Sequence, residues 1–442
     1  MAITVSPIPT SPNLANGNLI FRADSNQVSQ PQFQYVVDIK NSANVLIQRI
    51  KQQPNPQAYG IFDFSRIITT ELGDTDKVWK ITSATANTNC GNDFKVYFGE
   101  EYGTSLSSSV TLYNGITTGV TGSPAYTGSN QYYFMLDGVS NPNEKVNWNW
   151  DSGSKVDYVN PTADPTASYQ NGLTNFTTQS VRSTDYHTIS YLNGNMTGKA
   201  NLSTSAQDVY IMQFKQYDVT GSLLSTSYIY NTAGPRTSPS DIWTDVYTSQ
   251  SEDTRLIHFP TGPANLSISA STSYYVCSFH SQGLSGGLGN TTWGSYTFNI
   301  VNNCDYEGTR FAWKNEYGVW DYFNFTLAKD ANTSISRKQY EQSFVNFAAA
   351  NPTYDKSRRG ELQYYNELKE NYTAQSDWLT QEQADNLREL FYSTNVYVQD
   401  GTDYLPVVIT NSAIEQKKNI RTQKLFRYTV QYQFANDLTP RR

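Results

Sequence analysis

The sequence predicts a mainly β protein, and two features of its composition lead to this expectation. Aromatic residues make up 14% of the 442 residues, with 33 Tyr, 20 Phe and 8 Trp, whereas only 16% are charged. Aromatic side chains pack well on pleated sheets, and the abundant Ser, Thr and Asn residues favour turns over helix interiors. We therefore expect tandem β-sandwich domains of the immunoglobulin or fibronectin type, followed by a smaller α+β module.

A chain of this length should divide into about three domains. Residues 1–160 are expected to form the first β-sandwich, with an extended N-terminal arm rich in Pro, Ser and Asn. Residues 161–305 are expected to form a second sandwich, and residues 306–442 an α+β docking module. Acidic residues outnumber basic residues before Asp330, whereas the two nearly balance after it, which marks the C-terminal region as a different surface.

Paired strands are predicted in both sandwiches from apolar runs that flank turn residues. Residues 33–39 and 45–50 flank an Asn-rich turn, and residues 94–98 repeat the alternation of apolar and polar side chains. In the second sandwich, residues 209–217 and 222–230 flank an Asp–Gly turn and predict a hairpin. The second sandwich should close with a further pair, residues 274–279 and 295–301.

The clearest helix signal lies near the C-terminus. Thr380 is a favoured N-cap, and Gln383 stands at the position that completes a capping box. Leu387, Leu390 and Phe391 then continue one apolar face. After the helix, residues 425–434 alternate between apolar and polar side chains, which predicts a half-buried strand. The face of this strand formed by Phe426, Tyr428 and Val430 is expected to receive the helix.

Catalytic and metal chemistry is not indicated by the titratable residues. The net charge of −7 disfavours nucleic-acid binding, which depends on many contacts from Lys and Arg to phosphate. The histidines and cysteines show no metal-ligand spacing, so no metal or other cofactor is expected. They are His187, His258, His280, Cys90, Cys277 and Cys304. We expect the cysteines to be free thiols, with a disulfide between Cys277 and Cys304 as the alternative.

Two features keep a carbohydrate-related function open. Trp148 and Trp150 are two residues apart, so on a strand they would share one face and could stack against sugar rings, although packing in the core is the alternative. Glycoside hydrolysis needs two converging carboxyl groups. The acidic residues considered for that role are Asp74, Asp76, Glu100, Glu101, Asp151 and Asp157.

Four segments resemble parts of large virion proteins from tailed bacteriophages, especially phages of marine and Bacteroidetes-type hosts. They are residues 33–39 (FQYVVDI), 59–63 (YGIFD), 310–325 (RFAWKNEYGVWDYFNF) and 377–380 (DWLT). The resemblance is one of sequence style and includes no catalytic motif. It implies a particle subunit with sandwich domains, located in the tail, baseplate, neck or fibre attachment of a virion.

The candidate interface residues are an aromatic group and a basic stripe. Aromatic side chains serve as anchors in protein interfaces, and a basic stripe could meet an acidic partner surface; a core role and protection of a strand edge are the respective alternatives. The residues are Trp313, Trp320, Tyr322, Phe323, Lys417, Lys418, Arg421 and Lys424.

The expected function is that of a non-enzymatic structural subunit of a virion. Its expected partners are other virion proteins and copies of itself, with no nucleic acid and no membrane insertion. The N-terminus shows no secretion signal, so synthesis as a soluble cytoplasmic chain is expected. The alternatives are an adhesin that binds a host-surface glycan and, third, a glycan-degrading tail enzyme.

Overall fold

A computed structural model shows that the chain is mainly β, as its composition predicts. The described residues are 3–5, 13–17, 19–41, 43–72, 78–86, 90–103, 111–113, 132–139, 172–192, 209, 211–231, 256–282, 288–301, 308–343, 345–346, 350–351, 353–354, 357, 360–412 and 426–436.

By its internal contacts the chain divides into two compact units. The first comprises residues 1–301 and 314–321, and the second comprises residues 302–313 and 322–442. The boundary expected near residue 160 lies outside the described residues. The division into three domains therefore stays a prediction.

The first unit begins with two sheets that share one hydrophobic core. Its first elements are β1 (Ile3–Val5), β2 (Asn13–Asn16), β3 (Ile20–Ser25), β4 (Gln34–Asn41), β5 (Leu46–Gln52), β6 (Gly60–Asp63), α1 (Ser65–Leu72), β7 (Thr85–Ala86), β8 (Gly91–Glu101), β9 (Thr111–Tyr113) and β10 (Tyr132–Val139). One sheet has the order β1-β3-β6, and the other has the order β2-β10-β8-β4-β5, with β9 paired to β8. The predicted hairpin over residues 33–50 is confirmed by the antiparallel pairing of β4 with β5.

Aromatic rings join these two sheets across the core. The ring of Phe98 in β8 lies 5.6 Å from that of Phe21 in β3 and 6.0 Å from that of Phe62 in β6, measured between centroids. Ile68 and Leu72 of α1 are buried in the same core. Aromatic pairs at this spacing add specific packing to the burial of apolar area, and the two sheets form a layered pair.

The rest of the first unit repeats this plan with a second pair of sheets. Its strands are β11 (Thr178–Val181), β12 (Thr188–Leu192), β13 (Ile211–Tyr217), β14 (Leu223–Tyr230), β15 (Leu256–Pro260), β16 (Tyr274–Gln282) and β17 (Leu288–Ile300). The sheet orders are β11-β17-β16-β13-β14 and β12-β15-β7. The ring of Phe279 in β16 lies 4.6 Å from Tyr191 in β12 and 5.3 Å from Phe259 in β15, so one core again joins both sheets.

Both hairpins predicted in this region are confirmed. Strands β13 and β14 pair antiparallel around a turn in which Gly221 has a φ of +81°, a conformation that glycine adopts without strain. Strands β16 and β17 also pair antiparallel. Strands β11 and β17, which come first and last in the chain among the strands of the larger sheet, are parallel neighbours, a pairing that hairpin signals in the sequence do not predict.

Most residues of the remaining elements belong to the second unit. These elements are β18 (Thr309–Lys314), β19 (Trp320–Phe325), β20 (Lys329–Glu341), β21 (Val345–Asn346), β22 (Thr353–Tyr354), β23 (Glu361–Gln375), α2 (Gln381–Tyr392), β24 (Val396–Asp400), β25 (Asp403–Ile409) and β26 (Thr429–Phe434). Seven of the strands form one sheet in the order β19-β18-β24-β25-β26-β23-β20, and β21 pairs with β22.

Helix α2 confirms the predicted capping box. The Thr380 side chain accepts a hydrogen bond from the backbone N–H of Gln383 at 3.3 Å, and the Gln383 side chain accepts one from the N–H of Thr380 at 3.2 Å. Leu387 and Leu390 are fully buried. The predicted half-buried strand is confirmed over β26, where buried and exposed side chains alternate from Thr429 to Tyr432.

Candidate functional site

The aromatic residues predicted as interface anchors are mostly buried within the protein. Trp313, Trp320 and Tyr322 are each no more than 2% exposed, and Phe323 is half-buried. Trp320 packs edge-on against Trp79, with 5.2 Å between the ring centroids. Rings without exposed surface cannot anchor a partner. The interface prediction for the first three residues is therefore corrected to the core role that the sequence left as the alternative.

The other predicted interface and glycan-stacking residues lie outside the described residues, so those predictions stay predictions. They are Lys417, Lys418, Arg421, Lys424, Trp148 and Trp150. A described neighbour of the basic stripe, Arg427, holds its guanidinium carbon 4.7 Å from the ring centroid of Trp378. Trp378 is 57% exposed. The attraction between a cation and the face of an aromatic ring persists at such exposed sites.

A serine and a histidine form a close pair in the second core of the first unit. The Oγ of Ser190 in β12 lies 2.6 Å from the Nδ1 of His258 in β15, and the two residues are direct cross-strand partners. Both are buried, and burial lowers the pKa of His258 to about 3. A substrate cannot reach a pair that lies inside the core, so this contact is structural.

The described acidic residues among the glycosidase candidates have polar partners. Glu101 forms an ion pair with Lys51 at 2.6 Å. Glu100 accepts a hydrogen bond from the Ser25 hydroxyl at 2.5 Å. Both carboxylates are therefore engaged in polar contacts within the first pair of sheets. The remaining candidates, Asp74, Asp76, Asp151 and Asp157, lie outside the described residues.

A buried carboxyl group lies in the short segment of residues 314–321 that belongs to the first unit. Asp321 is 2% exposed, and burial, the main cause, raises its pKa to about 7. The side-chain amide of Asn315 donates to Asp321 Oδ2 at 3.0 Å and to the backbone carbonyl of Leu173 at 2.8 Å. Lys314 and Asp137 form a further ion pair at 2.5 Å. The segment is thus held by polar contacts. One of them, between Asn315 and Asp321, involves a carboxyl group whose charge changes with pH.

The largest feature that the sequence analysis missed is a long β-ribbon in the second unit. Strand β20 pairs with β23 over its whole length, from Lys329 to Glu341. Among the described residues, strand β23 pairs with β26 only at residues 372–375. The pairs formed by residues 332–341 with 361–371 therefore extend beyond the sheet as two strands, which we call the ribbon.

The ribbon exposes side chains on both of its faces. All thirteen residues of β20 are exposed, including Ile335 at 47%. Tyr340 of β20 and Tyr364 of β23 are at least half exposed, and their ring centroids are 6.0 Å apart. Lys338 holds its ammonium 5.2 Å from the ring centroid of its cross-strand partner Tyr365. The ribbon thus presents an isoleucine, tyrosine rings and charged side chains on exposed strands.

Another strand that ends its sheet order, among the described residues, lies in the first unit. Strand β14 is the last strand in its sheet order. Its sequence, LLSTSYIY, contains no charged residue, and Leu223, Leu224 and Tyr228 are exposed. Edge strands without charge or proline are competent to pair with another strand.

Comparisons of the sequence with known proteins give no family for this chain. No protein-family model matches the chain, and no curated protein matches its sequence. Among the described residues, no group of three or more His, Cys, Asp or Glu side chains is placed to hold a metal ion. None of the described helices is long and apolar enough to span a membrane.

Proposed function

We propose that the protein is a non-enzymatic structural subunit of a bacteriophage virion that makes protein–protein contacts in the tail, baseplate or neck. The observation that supports this role best is the ribbon, because all thirteen side chains of β20 are exposed and β20 ends the sheet order of the described strands. A two-stranded ribbon by itself is only marginally stable in water. A protein partner that adds a strand supplies backbone hydrogen bonds and burial together.

A second edge strand among the described residues favours a repeated assembly over a single pair. Strand β14 offers an uncharged edge in the first unit, and β20 offers an edge in the second. A subunit with two separate contact surfaces can join two neighbours, which is what rings and stacked layers require. The proposed partners are therefore copies of the chain and other virion proteins.

We further propose that the layered sheets of the first unit are sandwiches of the immunoglobulin or fibronectin type. Each pair of sheets shares one core, and antiparallel hairpins dominate the larger sheet of the second pair. We also propose the C-terminal α+β docking module. Its support is that α2 follows strands of the seven-stranded sheet and that the centroids of the Phe391 and Tyr428 rings are 5.7 Å apart.

The proposal is tested by incorporation into particles. Cells that produce phage would express the full chain, a ribbon variant with Ile335→Lys and Tyr340→Lys, or a control variant with Tyr392→Ser. Tyr392 is 62% exposed and is the last residue of α2, outside the ribbon. Mass spectrometry of purified particles should find the wild-type chain and the control in equal amounts and the ribbon variant depleted.

Either of two results would contradict the structural role. The wild-type chain could be absent from purified particles although it is abundant in the lysate. Alternatively, the ribbon variant could enter particles as efficiently as the wild type, which would exclude the ribbon as an assembly contact.

Glycan binding is the second candidate function, and exposed Trp378 is the observation that favours it. An exposed ring can stack on a sugar, and Arg427 lies over this ring. A glycan array probed with the wild type, Trp378→Ala and Trp148→Ala/Trp150→Ala would show which platform binds a host-surface glycan. Release of oligosaccharides from polysaccharide by the wild-type chain would instead indicate the glycan-degrading enzyme.

A further inference from the structure

Strand β20 offers a continuous and regular outer edge. Among the described residues it pairs only with β23, and it ends the strand order of its sheet. The pairing contains one irregularity, because Lys338 is opposite Tyr365 whereas Gln339 is opposite Gln363. The extra residue is thus Tyr364, on β23. Strand β20 itself keeps a two-residue alternation from Lys329 to Glu341.

The charges along β20 are arranged so that the strand complements itself in the antiparallel direction. Lys329 and Glu341 are its first and last residues, and Ile335 lies midway between them. Because side chains alternate between faces, these three residues share one face of the strand. We propose that a second copy of this chain pairs with β20 through an antiparallel β20–β20 contact, with a two-fold axis at Ile335. Lys329 of each copy then lies opposite Glu341 of the other.

The other charged residues are compatible with this register. In it, Arg337 lies opposite Thr333 and Lys338 opposite Asn332, so like charges do not face each other directly. Asp330 becomes the diagonal neighbour of Lys338 on the second face, within reach of a long side chain. If the axis moved to Arg337 or to Lys338, that residue would lie opposite itself, and like charges directly opposite destabilise a sheet.

Apolar side chains complete the contact at its centre. Within one chain Ile335 is the cross-strand partner of Leu368, which is half-buried. Pairing two copies would place Leu368, Ile335, Ile335 and Leu368 in a row across four strands. This row covers the Ile335 side chains, which are 47% exposed in the single chain.

The size of the contact predicts a reversible dimer. Thirteen residues span about 44 Å of strand, and a strand edge about 10 Å high gives roughly 440 Å² on each copy. The total of roughly 900 Å² lies below the lower bound of about 1,200 Å² for standard stable interfaces and in the range of weak, transient contacts. This inference deepens the proposed function by naming the partner of the ribbon, but it is tested on the purified chain, without particles.

Cysteine cross-linking tests the register directly. Residues opposite each other in an antiparallel pair have Cα atoms about 4.5–5.5 Å apart, which a disulfide can bridge. Full-length Ile335→Cys, with Cys304→Ser as background, should therefore form a disulfide-linked dimer under mild oxidation. Thr333→Cys is the matched control, because its own counterpart would lie about 14 Å farther along the strand. Equal cross-linking of both variants, or none by Ile335→Cys, would overturn the register.

Charge exchange tests the ion pairs independently. Sedimentation velocity should show a concentration-dependent dimer for the wild type, and Lys329→Glu and Glu341→Lys should each weaken it about tenfold, because both ends then carry like charges. The double variant Lys329→Glu/Glu341→Lys should restore dimerisation. A wild-type chain that stays monomeric at several hundred micromolar, or a double variant weaker than either single variant, would overturn the dimer.

The two proposals fail in different ways. A monomeric chain whose ribbon variant is still lost from particles would reject self-association and leave the virion role, with another protein on the ribbon. A dimer that forms in solution but never enters particles would reject the virion role and leave the pairing.

Discussion

Replacing Leu390 with alanine should destabilise the C-terminal unit strongly. Leu390 is fully buried in α2, and its neighbour Phe391 packs against Tyr428. The change removes about three methylene equivalents, worth roughly 0.8 kcal/mol each in lost burial. A residual cavity adds to this, so the total should be about 2–5 kcal/mol. The free energy of unfolding of an ordinary domain is of similar size, so this substitution alone could unfold the unit.

The assay is hydrogen exchange of the full chain, followed by mass spectrometry on peptides from α2 and β26. Because about 1.4 kcal/mol corresponds to a tenfold change in an equilibrium constant, protection should fall by about 30-fold or more. Tyr392→Ala in the same helix is the control, since Tyr392 is 62% exposed and should change protection little. Equal effects of the two variants, or unchanged protection in Leu390→Ala, would refute the assignment of this helix face to the core.

Three further changes have directions that follow from the structure. In the wild type, the free energy of unfolding should fall as pH rises from 3.8 to about 7, because the folded state holds the Asp321 proton more tightly than the unfolded state. Asp321→Asn should remove this fall. The free energy of unfolding of the wild type should also fall as pH falls from 6.5 towards 3, since in this range the unfolded state binds a proton on the His258 ring and the folded state does not. His258→Asn should remove this second fall. Each slope is at most about 1.4 kcal/mol per pH unit, and the two oppose each other, so urea titrations of the single variants are compared with the wild type at each pH. Thr380→Ala should cost about 1 kcal/mol and increase exchange at the first turn of α2; unchanged exchange there would show that the cap is unimportant.

Local sequence signals predicted the strands and the helix whose apolar residues recur with the period of that element, two residues in a strand and 3.6 in a helix. The hairpin β13–β14 has a glycine at the turn position that requires positive φ, and α2 has both its cap and its apolar face. Helix α1 carries weaker signals, because Ile and Thr lower helix propensity. It forms because Ile68 and Leu72, four residues apart, bury one face in the first core, a tertiary effect that a local pattern does not show.

The ribbon could not be predicted because its faces do not differ in polarity. Strand β20 has exposed side chains throughout, so its sequence lacks the apolar alternation that marks a strand with one face in a core. In β23, Leu362, Tyr365 and Leu368 recur every three residues among charged side chains, a spacing that also suits a helix face. The pairing with β20 decides in favour of the strand. Likewise, the burial of Trp313 and Trp320 depends on packing that no local pattern reveals.

The charges of β20 have two consequences that follow from one principle. Lysine and arginine on an edge strand oppose pairing with an arbitrary strand, which protects an exposed edge from aggregation. In the proposed dimer the same residues distinguish among registers, because only certain alignments separate Arg337 and Lys338 from like charges and bring Lys329 to Glu341. An uncharged edge such as β14 has no comparable means of selecting a register. Ordered self-assembly is therefore expected to begin at the ribbon, and β14 is expected to bind a partner whose position other contacts fix.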